Sequence, residues 1–83
     1  MDKILIQVVS VVSAAFSLAI AGFAAANAQG KATSSALEAL ARQPEAKNSI
    51  TQALIVGLAI IESIALYALL IAIVLIFANP FVK

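Results

Sequence analysis

Eighty-three residues, 64% of them hydrophobic, carry only five basic and four acidic side chains, a net charge of +1 and a mean hydropathy of +1.12. A soluble domain carries about a quarter charged residues, and a chain this short has too little interior to hide so much apolar surface, so the composition defines a small, single-domain integral membrane protein. There is no Cys, no His and no basic patch. Disulfides, thiol chemistry, the usual transition-metal sites and nucleic-acid binding therefore drop out, and most enzyme classes go with them.

The first apolar stretch runs from about Ile4 to Ala28, interrupted only by Gln7, Ser10, Ser13, Ser17 and Asn27. It exceeds the roughly 20 residues that cross a bilayer core as helix. Lipid admits only helices and closed barrels, and two segments cannot close a barrel. Ala26-Asn27-Ala28 resembles a signal-peptidase site. The apolar stretch is too long for a signal h-region of about 7 to 15 residues, and Asp2 neutralises Lys3 in the flank. We therefore expect a retained transmembrane helix. Small residues crowd it, and Ala24, Ala26, Ala28 and Gly30 recur at every second position. On a helix that step is about 200°, so the four alternate between two nearly opposite faces. Small residues let membrane helices approach closely, and a helix needing close neighbours on both sides suits a closed ring.

The polar segment "GKATSSALEALARQPEAKNS" follows. Its Ala, Leu and Glu content favours helix through Arg42, and Pro44 should end that helix near Gln43. Glu45 suits the positive start of the next helix and Arg42 the negative end of the previous one. The expectation is helix over about 4–42, a tight turn at 42–45, and a second helix over about 46–78, all in one hairpin spanning residues 1–83. Asn79-Pro80 stops the second helix. Lys31, Arg42 and Lys47 on the loop side outnumber Lys3 and Lys83 at the termini, which places the loop in the cytoplasm and both termini on the opposite side.

The second apolar stretch, about Ile50 to Ala78, contains one charged residue, Glu62, within "LAIIESIALYALL". An ionised acid at a transmembrane centre costs roughly 2.5 to 3.5 kcal/mol on insertion scales, and such residues are functional by default. Lipid disfavours the charged form, so a cation-loaded, neutral Glu62 is the form suited to hydrocarbon. The midpoint of Gln29 and Glu62 falls at 45.5, inside the polar turn segment, so a symmetric hairpin puts them at similar depth and offers the Gln29 amide to the carboxyl. Ser63 and Tyr67 lie four apart on one helix face and bring hydroxyls near it. Ser63 has an alternative partner in its own backbone, and Tyr67 lies too deep for an interfacial anchor.

Taken together, "AQGKA", "ARQPEAK", "IIESIALY" and "FANPF" make the chain resemble, over nearly its whole length, the c-subunit family, the proteolipids of F-type and N-type rotary ATP synthases. The resemblance implies an all-α membrane protein, a two-helix hairpin assembling into a closed homo-oligomeric ring with first helices inside. It implies that Glu62 carries a cation through lipid and discharges at the a-subunit of the stator. It also implies that Arg42, Gln43 and Pro44 contact the central-stalk subunits gamma and epsilon. Such a protein is a non-catalytic component without a cofactor, set among lipids of a bacterial inner membrane. Many members carry glycine where Ala24, Ala26 and Ala28 stand; the extra methyls push inner helices apart and imply a large ring. Sodium-coupled members use the pattern seen in Gln29, Glu62, Ser63 and Tyr67, completed by a backbone carbonyl such as that of Ile60. Here Ile61 and Ile64 are apolar where further oxygens would help. The expected cargo is therefore H+, with Na+ as the alternative. A holin-like or scaffolding hairpin, or a regulatory membrane peptide, would leave the "RQPE" turn and Glu62 unexplained.

Overall fold

The computed structural model describes residues 2–82. Helix α1 runs Lys3–Arg42, a single 3-10 turn covers Pro44–Ala46, and helix α2 runs Lys47–Phe77. Asp2 caps α1, its side chain accepting from the Ile4 N–H at 3.4 Å and its carbonyl from Ile6 at 3.0 Å. Gln43 leaves the helix with φ −134° and ψ 72°, because the ring of Pro44 disfavours α geometry at the residue before it. Its N–H still bonds Ala39 O at 2.8 Å, and its carbonyl accepts from Ala46 at 3.0 Å. The chain thus reverses in one turn with few backbone groups left over. Ala78 N–H closes α2 on Val74 O at 3.0 Å, and Pro80 forbids continuation.

The molecule measures 62 × 16 × 12 Å, one long helix in length and two helices in width, since α1 alone rises about 60 Å. The helices meet along a seam that repeats every three or four residues. On α1 it includes Ser10, Ala14, Leu18, Ala25 and Gln29; on α2 it includes Leu54, Ile61, Ala65, Ala68 and Ala72. Small residues dominate it, so the backbones approach closely without a large core. Only Ala14 and Ala72 are buried apolar residues, with Ser10 beside them, and no large side chain is fully buried among the described residues.

The large apolar side chains off the seam face outward, including Phe16, Ile20, Phe23, Ile60, Ile64 and Tyr67 at 60–73% exposed. Both helices are long and apolar enough to cross a membrane, and lipid is the medium in which this surface is at equilibrium. Ala24, Ala26, Ala28 and Gly30 are all exposed and none belongs to the seam. Helical geometry sets Ala24 and Ala28 on one flank of α1 and Ala26 and Gly30 on the other. A methyl added at Gly30 would meet nothing within 4 Å in the hairpin. The small residues on the flanks are therefore not needed for the fold of one hairpin.

Candidate functional site

Glu62 stands at the midpoint of α2, equally far in sequence from Lys47 and Phe77, which is about 22 Å from either helix end. Its side chain emerges beside the seam. Gln29, half-buried on the facing side of α1, donates its Nε2–H to Glu62 Oε2 at 2.9 Å. This contact fixes the register of the two helices: residues whose numbers sum to about 91 lie at one depth. The pair remains exposed at the hairpin surface. An open groove lined by Gln29, Gly30, Thr33, Ser34, Leu37 and Leu58 adjoins it on the turn side.

The other candidate ligands are arranged differently. Ser63 donates its hydroxyl to Ala59 O at 2.9 Å, one turn back on its own helix. A serine in a membrane helix satisfies itself this way, and its oxygen lone pairs stay free to accept or ligate. Tyr67 lies one turn beyond Ser63, 69% exposed, on the outer side of the hairpin. Ile60 lies within the uninterrupted α2, so its carbonyl belongs to the helical ladder. One hairpin therefore brings Gln29 to Glu62 but does not gather Ser63, Tyr67 and Ile60 around it. Among the described residues no group of three or more His, Cys, Asp or Glu comes together. A single carboxylate with neutral oxygens nearby balances one monovalent charge.

Sequence reasoning passes over a second polar bridge. Asn79 Nδ2 donates to Ser10 Oγ at 2.7 Å, and Asn79 Oδ1 accepts from the Phe81 N–H at 2.9 Å. Ser10 is 7% exposed, the one buried polar residue among those described. The signal is present: 10 and 79 sum to 89, nearly the register set by 29 and 62. Arg42, Gln43 and Pro44 are all exposed at the tip of the hairpin, free to meet another surface.

A membrane hairpin of two helices, with one acid at mid-span held by an amide across the seam, defines a proteolipid. The model of the ATP synthase c-subunit family matches residues 12–75. The chain is 47% identical to the second ATP synthase c-subunit of Cereibacter sphaeroides over 76 residues, 92% of each chain. It is 48% identical to the ATP synthase c-subunit of Dictyoglomus thermophilum over 73 residues, 88% of this chain and 87% of that one. It is 43% identical over 83 residues, the full length of both, to the chloroplastic ATP synthase c-subunit of Cyanidium caldarium. The chain belongs to the ATP synthase c-subunit family: it is a rotor component of that complex, of a kind that closes into membrane-embedded rings.

Proposed function

We propose that Glu62 is the ion carrier of this rotor component and that the ion is a proton. The observation that supports this is the placement of one exposed carboxyl at the middle of α2, engaged by a single amide donor from Gln29. In lipid the neutral form is the one that travels, since ionisation at mid-span costs about 2.5 to 3.5 kcal/mol or more. The loaded carboxyl crosses the lipid-facing arc of the ring and ionises only where the a-subunit of the stator supplies positive charge and water. Reloading lets the ring advance by one hairpin. The protein itself performs no catalysis and needs no cofactor; it turns the central stalk, gamma and epsilon, through Arg42, Gln43 and Pro44 at the turn. The loop lies in the cytoplasm and the termini across a bacterial inner membrane, in keeping with the bacterial relatives.

Sodium is the second reading, favoured by the co-occurrence of Gln29, Ser63 and Tyr67 with the acid. Sodium needs several oxygens at once, and within one hairpin Ser63 is turned to Ala59 while Ile61 and Ile64 add no oxygen. A hydrophobic carbodiimide, which modifies protonated carboxyls, decides between them on the assembled ring. The expected result is labelling of Glu62 that falls with rising pH and is indifferent to millimolar sodium. Protection by sodium at neutral pH would replace the proton with sodium; failure to label at any pH would remove Glu62 as carrier.

The ring is large. Ala24, Ala26 and Ala28 put methyl groups on both flanks of α1, and each widens the spacing between neighbouring inner helices. Native mass of the ring checks this: ten or fewer copies would overturn it, and Ala24→Gly with Ala28→Gly is expected to lower the count.

A further inference from the structure

The two long edges of the hairpin, on either side of the seam, differ from one another between Glu62 and the turn. One edge carries Gln29 and Glu62, and the groove beside them reaches Thr33 and then Leu37 at its turn-side end. Leu37 is 62% exposed, and between Phe23 and Ile55 it is the one large apolar side chain exposed among the described residues. Its neighbours on this part of α1, Lys31, Ser34, Glu38 and Arg42, are exposed and polar. A leucine in that company has apolar surface without cover.

The opposite edge holds a second groove, lined by Ala32, Ala36, Ala53, Leu54 and Gly57, with one hydroxyl from Ser35. Ser35 lies two turns beyond Ala28, and Leu37 two turns beyond Gly30, so the two grooves continue the two flanks of α1. Gly57 has no role inside the hairpin, since a Cβ there would meet nothing within 4 Å. Glycine within a helix is destabilising relative to alanine, so the space it leaves points to a use outside the hairpin. In the register set by Gln29 and Glu62, Leu37 lies level with Leu54, within the span of this groove. Knob and socket therefore stand on opposite edges at one level. A closed ring uses heterologous contacts, in which one edge of each copy meets the other edge of the next.

We propose that Leu37 of each copy seats in the Gly57 socket of the next copy, and that the resulting collar of leucines closes the space between hairpins on the turn side of Glu62. Leu37 stands eight residues from Gln29, about 12 Å along the helix, with Thr33 between them. Water entering between two hairpins from the turn side meets the collar before it reaches the carboxyl. The proposal rests on the ring assembly of the family and is separable from the identity of the ion.

The chain has no cysteine, so paired cysteines in the assembled ring test the contact directly. Leu37→Cys with Ala53→Cys puts one thiol at the knob and one in the socket. Within a hairpin these point away from each other across helices about 8 to 10 Å apart. A disulfide needs Cα atoms within about 7 Å, so it forms between copies, and oxidation should give a ladder of hairpin multimers on a denaturing gel. Leu37→Cys with Ile55→Cys should give none, because Ile55 lies two turns from Glu62 on the same edge as Leu37.

Size exchange is the second arm. Gly57→Leu fills the socket and Leu37→Ala removes the knob, and each should lower the temperature at which the ring dissociates. The two combined should dissociate at a higher temperature than Gly57→Leu alone. Gly57→Leu meets no obstacle within the hairpin and favours helix, so its effect reports the contact between copies. The seal is read at Thr33→Cys. A charged thiol reagent should modify that cysteine about tenfold faster when Leu37→Ala is added, the factor that loss of one buried leucine supplies. Monomer bands alone from the first cysteine pair, as a socket filled by a lipid chain would give, or no rescue in the size exchange would overturn the contact. An unchanged rate at Thr33→Cys would overturn the seal.

Discussion

Two side-chain bridges join the same two helices, and they are built to opposite specifications. Near the termini, Asn79 uses both ends of its amide, donating to Ser10 at 2.7 Å and accepting from Phe81 at 2.9 Å in a partly buried setting. At mid-span, Gln29 reaches Glu62 at 2.9 Å on the exposed side of the hairpin, and among the described hydrogen bonds only one carboxyl oxygen is engaged. The first bridge is neutral and turned inward, with both the oxygen and the nitrogen of the Asn79 amide engaged. The second contains the one ionisable group of the apolar region and keeps acceptor capacity in reserve. A contact that only holds helices together is best shielded and uncharged. On the proposed reading of Glu62 as carrier, a contact that takes up and releases an ion has to be accessible and to keep acceptor capacity.

The comparison breaks most visibly at Glu62. Glu62→Gln keeps shape and hydrogen bonding but cannot ionise, so ATP-driven ion pumping in reconstituted vesicles should fall to background while the ring mass is unchanged. Pumping that survives would mean that the mid-span bridge is structural after all. Gln29→Leu should slow pumping about tenfold, as expected for loss of one hydrogen bond to a chargeable group worth about 1.5 kcal/mol, again with the ring intact.

At the other bridge the effects should exchange places. Asn79→Ala leaves the buried Ser10 hydroxyl without its partner, a loss of about 1 to 3 kcal/mol. It should lower the melting temperature of the ring in detergent while pumping at moderate temperature holds. Loss of pumping without loss of heat stability would assign Asn79 to the ion path. The smallest effect belongs to Ser63→Ala. Its hydroxyl is committed to Ala59 O, a bond of little net worth in a helix, so pumping with protons should change by less than about twofold. A sodium-dependent activity destroyed by the same change would move Ser63 into the ion site.

Much of the architecture is legible in the chain because lipid imposes so few solutions. A run of apolar residues longer than a bilayer can only be helix, and a proline between two such runs can only sit where one ends and the next begins. Counting outward from a midpoint just past Pro44, between Glu45 and Ala46, brings Gln29 and Glu62 to one depth, and the helices have little freedom to slip once the turn is this short. The same count pairs Ser10 with Asn79. Along the chain, however, Asn79-Pro80 reads only as a helix stop, since a residue past the helix end has no periodic face to assign it.

By itself, then, the sequence determined the hairpin, the depth of its acid and the small-residue flanks, because helix rise, proline geometry and the cost of charge in lipid are local or one-dimensional properties. Only the tertiary structure decided which neighbour each polar group takes. Ser63 turned to its own backbone rather than to Glu62, Tyr67 faced outward, and Ser10 found a partner sixty-nine residues away. Those choices depend on the rotation of each helix about its axis and on side-chain rotamers, and the seam packing that sets them has no counterpart in the order of residues along either helix.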